Sequence, residues 1–159
     1  MAVSTDIFQS WRRPRVVMRR LLDMGQREDR ALAFLMAGSF IAFVSQWPRL
    51  SREAHLAGTD MGEAVGPLLV GTMIVGPLFY YLVSIVVWGG LRVFGSQIAA
   101  YRVRLALFWA ILASAPAMLL YGLTRGFIGQ GPEATLVGVV WAVGFLFILI
   151  QSLREAATQ

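Results

Sequence analysis

Hydrophobic positions along this chain gather into long unbroken runs instead of alternating or recurring once per helical turn. Four stretches carry no Asp, Glu, Lys, Arg or His: 31–48, 64–91, 105–124 and 134–153, of 18, 28, 20 and 20 residues. A helix of about 20 apolar residues crosses the roughly 30 Å hydrocarbon core of a bilayer. The pattern therefore predicts an all-α, polytopic membrane helix bundle with four transmembrane helices, over about 31–47, 64–91, 105–123 and 134–153. Residues 1–30 and 154–159 flank this 31–153 domain as an arginine-rich segment and a short tail.

Local signals place the boundaries. The first span is expected to stop at Pro48-Arg49, with Trp47 as an interfacial anchor. A polar loop over 48–63 follows, and Asp60 with Glu63 reads as a capping-box-like start to the second span. That span's uncharged core would extend about 42 Å at 1.5 Å per residue, so it must tilt, kink or protrude. Val-Gly-Pro-Leu occurs twice, at 65–68 and 75–78. Pro67 falls in an early turn, whereas Pro77 falls inside and is expected to kink the helix. Two short re-entrant segments are the rival reading, opposed by the lack of polar groups to line them. Pro116 predicts a second kink, in span three. Gly126, Gly129, Gly131 and Pro132 mark a loop, and Pro132-Glu133 suits the start of the last helix.

The first 30 residues hold seven Arg. Arg12-Arg13 is not followed directly by an apolar run, which argues against a cleaved signal. Residues 15–24 fit an amphipathic helix between Pro14 and Gly25. Val17, Met18, Leu21, Leu22 and Met24 share one face, and Arg19, Arg20 and Asp23 the other. Such a helix lies in the bilayer interface, with Arg12, Arg13, Arg15, Arg19, Arg20 and Arg27 toward anionic lipid, or packs on the protein's own cytoplasmic end. Segments 1–30, 92–104 and 154–159 hold 7, 3 and 1 Arg, against 2 and 1 in 48–63 and 125–133. This bias predicts cytoplasmic N- and C-termini, as four spans also require.

Composition narrows the chemistry. The chain is 57% hydrophobic and 14% charged, where a soluble domain carries about 25% charged residues. It has no Cys, so thiolate chemistry, Fe–S clusters and Cys-ligated zinc are excluded. With no Lys, Schiff-base and P-loop lysines are excluded too, and the Arg bias points to a bacterium. The single His55 cannot supply a multi-His metal site and reads as a solvated loop residue. The net charge of +5 sits beside a span, which favours anionic lipid over nucleic acid.

Catalytic and ion-coupled sites in membranes need ionisable groups at membrane depth, and none of the four stretches has one. Ser39, Ser45, Gln46, Thr72, Tyr80, Tyr81, Ser84, Ser114 and Tyr121 read as interhelical hydrogen-bonding groups. Small residues recur at packing distance, as in Gly138 and Ala142. Gly138, Ala142 and Gly144 of span four form a candidate packing or partner surface.

Phe94-Gly95-Ser96, the basic and aromatic stretch with Tyr101, and a span reaching Ala113-Ser114-Ala115-Pro116 are similar to bacterial Yip1-domain proteins. So are Trp141 in the last span, the closing Leu153-Arg154-Glu155-Ala156, and the lead-in from Arg15 to Leu22, which resembles that of short alphaproteobacterial members. The resemblance implies an integral, non-enzymatic protein of the inner membrane. The Asp-Leu-Tyr-Gly-Pro-like motif of eukaryotic members is absent, so binding of Rab-type GTPases is not carried over. The expectation is a non-catalytic scaffold, accessory subunit or assembly factor without cofactor. Its partners would be membrane proteins, itself or anionic phospholipids. A component of a small-solute transporter or channel is the alternative, and a lipid enzyme using His55, Asp60 and Glu63 the third reading.

Overall fold

The computed structural model describes residues 3–158, and every regular element among them is helical. Two short helices, α1 (Val3–Ser10) and α2 (Pro14–Asp23), precede α3 (Glu28–Ala57). Next come α4 (Met61–Val70), a π-helical turn (Gly71–Val75) and α5 (Gly76–Val93), which form one continuous rod. The chain ends with α6 (Ala100–Ala113), α7 (Ala115–Phe127) and α8 (Pro132–Thr158). Three helices are long and apolar enough to cross a membrane: Glu28–Ala57, Met61–Val93 and Pro132–Thr158. The bent pair α6–α7 makes a fourth if taken as one span. The protein is thus an all-α bundle with the spans of a membrane protein.

Several boundaries differ from the sequence expectation, among them the last helix, which runs through most of the expected 154–159 tail to Thr158. The first span does not stop at Pro48, and the expected loop over 48–63 shrinks to Gly58–Asp60, because α3 continues to Ala57. A mid-helix proline normally costs a hydrogen bond and a clash. Here Pro48 backs onto Gly126 of α7, where an added Cβ would lie 2.2 Å from the Pro48 Cβ. Beyond it, Arg49 pairs with Glu53 one turn on, and Arg52 donates to the Phe127 carbonyl at the end of α7. Gly58, at φ 66°, then closes the helix. Gly126, expected in a loop, therefore belongs to a helix contact. The third span begins at Ala100, not 105, so Arg102 and Arg104 lie on its first turns.

The prolines act in different ways. Ahead of Pro77 the helix widens into the π-helical turn, where the Gly76 N–H donates to the Gly71 carbonyl. The wider turn accommodates the missing proline N–H without ending the rod. Two residues before Pro116 the axis turns by 45° at Ser114, between α6 and α7.

The core sits around α6. Eleven of its 14 residues are buried, and α3, α5 and α8 surround it, with α1–α2 against its remaining side. Helices α3 and α7 make the closest approach: an added Cβ at Gly122 would lie 1.9 Å from the Ser45 carbonyl oxygen. The Gly122-x-x-x-Gly126 spacing permits that crossing.

Candidate functional site

One end of the bundle collects the α2–α3 connection, the start of α6 and the end of α8. Tyr101 holds the α2–α3 turn there: its hydroxyl accepts from the Arg27 backbone N–H at 3.1 Å and from the Arg30 guanidinium at 3.2 Å. Arg30 also donates to the Leu21 and Gly25 carbonyls at 2.9 and 2.7 Å. Arg104 pairs with Glu28, and Arg102 donates to the Ala156 carbonyl at 3.3 Å. Arginines thus tie three separate chain segments together at this end.

The N-terminal hairpin α1–α2 is seated into the bundle. Of the expected apolar face, Val17, Met18 and Leu21 are fully or almost fully buried in the protein's own core, Leu22 is half-buried against it, and Met24 is exposed. Of the two readings of this helix, the structure places its apolar face against α8 and the α6 side, not in lipid. At the turn, the Trp109 indole N–H donates to Ser10 Oγ at 3.0 Å, and Ser10 in turn donates to the Asp6 carbonyl. The Trp11 indole N–H donates to the Ala113 carbonyl at 2.9 Å. Ala113 ends α6, where carbonyls lack intrahelical partners, so Trp11 caps the helix at its bend. Its ring also lies over Gly144, where an added Cβ would fall 2.5 Å from it. Gly144 is ten residues from Arg154, so the indole reaches about 15 Å along α8 from that level.

The six arginines expected to face lipid divide into distinct environments. Arg12 and Arg13 are exposed at the hairpin turn, beside a hollow of about 780 Å³ lined also by Phe8 and Trp11. Arg15 is exposed, with Nε 4.0 Å from Glu155. Arg19 lies 2.7 Å from the buried Glu155 carboxylate, whose hydrogen bond, and then charge, raise the guanidinium above the usual arginine value. Arg20 turns inward to Asp6 at 2.6 Å and Gln9 at 3.1 Å. Arg27 pairs with Asp29 at 2.7 Å.

The small residues of span four face their own chain. An added Cβ at Gly138 would lie 3.0 Å from the Tyr121 ring of α7; Ala142 is half-buried, and Gly144 receives Trp11. The uncovered glycines lie elsewhere. At Gly66, Gly71, Gly89 and Gly90 an added Cβ meets nothing within 4 Å. All four are on the α4–α5 rod, whose most apolar window is only 11% buried. Around them Leu78, Leu82 and Val86 are exposed.

His55, Asp60 and Glu63 are exposed near the α3–α4 turn. Asp60 accepts from the Gly62 N–H at 2.9 Å, an ordinary helix cap. Among the described residues no three His, Cys, Asp or Glu side chains are grouped to hold a metal. Sequence reasoning passed over Ser10 and Trp11 and gave Tyr101 and Glu155 no structural role; their partners lie 74 to 136 residues away. It also passed over Gly122 with Gly126, although their four-residue spacing was readable. No protein family, curated protein or solved structure matches this chain.

Proposed function

We propose that this chain is a non-catalytic, multi-pass protein of the bacterial inner membrane that acts as a scaffold, accessory subunit or assembly factor. The observation that carries the reading is the contrast between two spans. Helix α6 is almost wholly enclosed, whereas the α4–α5 rod is 33 residues long with 11% of its apolar window buried and glycine backbone left open at four positions. In a bilayer, helices associate through close backbone approach at small residues, and a glycine facing only acyl chains forgoes that packing. The rod is therefore the face that receives a helix of another membrane protein or of a second copy. The resemblance to bacterial Yip1-domain proteins supports the same reading, as does the lack of an ionisable group in the four uncharged stretches.

The arginine-rich end is the cytoplasmic one in this proposal, which puts both termini inside. Arg12 and Arg13, exposed at the hairpin turn toward the level of Gly144, extend their long side chains back to anionic phospholipid at that end.

Photo-crosslinkers introduced at the exposed Leu82 and Val86 in native membranes test the proposal. A discrete protein adduct, lost on Gly89→Leu, is the expected result. Adducts to phospholipid alone, at both positions, would overturn it.

A further inference from the structure

The two connecting segments poor in arginine, 48–63 and 125–133, hold three between them: Arg49, Arg52 and Arg125. Arginine at that end does not serve orientation, because the topological bias rewards the opposite side. Yet all three line one cleft of about 290 Å³, where the end of α3 meets the end of α7. Each of the three residues is half-buried. Glu53 is the one carboxylate among the described lining residues, and Arg49 already pairs with it at 3.2 Å. Arg52 is fixed by the end of α7. Its Nη1 donates to the Phe127 carbonyl at 2.9 Å, and its Nη2 lies where an added Cβ on Gly129 would stand 3.1 Å away. Arg125 lies over the Tyr121 ring, 5.8 Å from its centroid. Among the described residues no ion pair engages Arg52 or Arg125.

Like charges that share a cleft repel, and an anion between them relieves the repulsion. Guanidinium groups are planar and weakly hydrated, and they match phosphate oxygens in pairs. Gln130, also in the lining, adds a neutral donor. Position selects the source of the phosphate. Arg49 and Arg52 follow the exposed Trp47 by two and five residues, about 3 and 8 Å along the helix. The polar layer on each side of the hydrocarbon core is about 5–8 Å thick, so with Trp47 at the boundary both turns of α3 lie among head groups. Ile128 of the lining and its neighbour Phe127 are exposed. Apolar surface beside paired cations suits an amphiphile better than a free ion.

We propose that this cleft binds a phosphate group between Arg52 and Arg125, and that the phosphate belongs to an anionic phospholipid of the leaflet opposite the arginine-rich end. Glu53 balances the charge of Arg49 and so limits the affinity. The site is separate from the docking face on the α4–α5 rod and from Arg12 and Arg13.

The full-length protein with Arg12→Gln and Arg13→Gln, which removes the lipid contact of the other end, is placed in phosphatidylcholine nanodiscs. These contain a trace of phosphatidylglycerol with a photoreactive head group, and adducts are mapped by peptide mass spectrometry. Labelling is expected on residues 49–56 and 125–130 despite the excess of phosphatidylcholine. Unlabelled phosphatidylglycerol should compete it away, and millimolar inorganic phosphate should not. Arg125→Gln should weaken that competition about fivefold, the effect of one cation near a charged surface. Glu53→Gln, which releases Arg49, should strengthen it by about the same factor. A merely structural role for these side chains predicts no such gain, and if Arg125→Gln fails to fold, Glu53→Gln alone decides. Competition by inorganic phosphate as effective as that by phosphatidylglycerol would assign the cleft to a soluble anion and overturn the lipid. Labelling spread away from the cleft, or no gain with Glu53→Gln, would equally overturn the proposal.

Discussion

Replacing Gly122 by Ala should break the tightest glycine contact among the described residues. The added Cβ would stand 1.9 Å from the Ser45 carbonyl oxygen and 2.8 Å from its carbon, where ordinary contact begins near 3.4 Å. Both obstructing atoms are backbone, so no side chain can rotate away. Helices α3 and α7 must separate by about 1.5 Å, and a gap of 0.5–1 Å already forfeits a quarter to a half of a dispersion contact. The loss extends to Gly126, seated on Pro48 four residues on. We expect a cost of about 3 kcal/mol, the upper end for overpacking. Gly66→Ala is the internal control. Its Cβ meets nothing within 4 Å, so the same chemical change should be neutral or stabilise by up to about 1 kcal/mol. Denaturation in mixed detergent micelles, followed by size exclusion and circular dichroism, measures both. Equal stability of the two variants would refute the claim that backbone proximity at α3–α7 holds the fold.

Further outcomes follow from the N-terminal hairpin. Gly144→Leu should push the Trp11 ring off α8, and trypsin should then cleave faster at Arg12, Arg15 and Arg19 than in the unaltered protein. Glu155→Ala removes the acceptor of Arg19 and should raise hydrogen exchange across α2 above that of the unaltered protein. Arg12→Gln with Arg13→Gln should leave the fold unchanged, because no ion pair engages either residue among those described, yet lower binding to anionic vesicles. At about 1 kcal/mol for each arginine near a charged surface, the drop is about thirtyfold in low salt; unchanged binding would remove lipid from the list of their partners.

The long charge-free runs made the helical class legible, because span length is fixed by bilayer thickness and needs no knowledge of neighbours. Helix ends were less so. Pro48 is a stop signal by its own chemistry, and only the glycine facing it, 78 residues later, lets α3 pass. Pro77 announced a distortion but not its form, since a π-helical turn differs from a hinge by one hydrogen-bond register. The amphipathic pattern of residues 15–24 was readable, but a pattern cannot say whether lipid or protein covers the apolar side. Val17 and Met18 answer through contacts with distant segments. Gly138 and Gly144 stand out in the sequence as small residues of the last span. That they serve Tyr121 and Trp11, leaving the open glycines on α4–α5, depended on which way each helix was turned.

The burial of α6 has a consequence for how the protein is made. Its last uncovered side is closed by α1–α2, and the latch between Arg19 and Glu155 spans 136 residues. At about 5–20 residues per second, roughly 7 to 27 seconds separate synthesis of the hairpin from that of its acceptor. The hairpin, made before α8, therefore completes its seat only once α8 is in place. During that interval a half-covered α6 and an unattached, arginine-rich amphipathic helix coexist at the membrane surface.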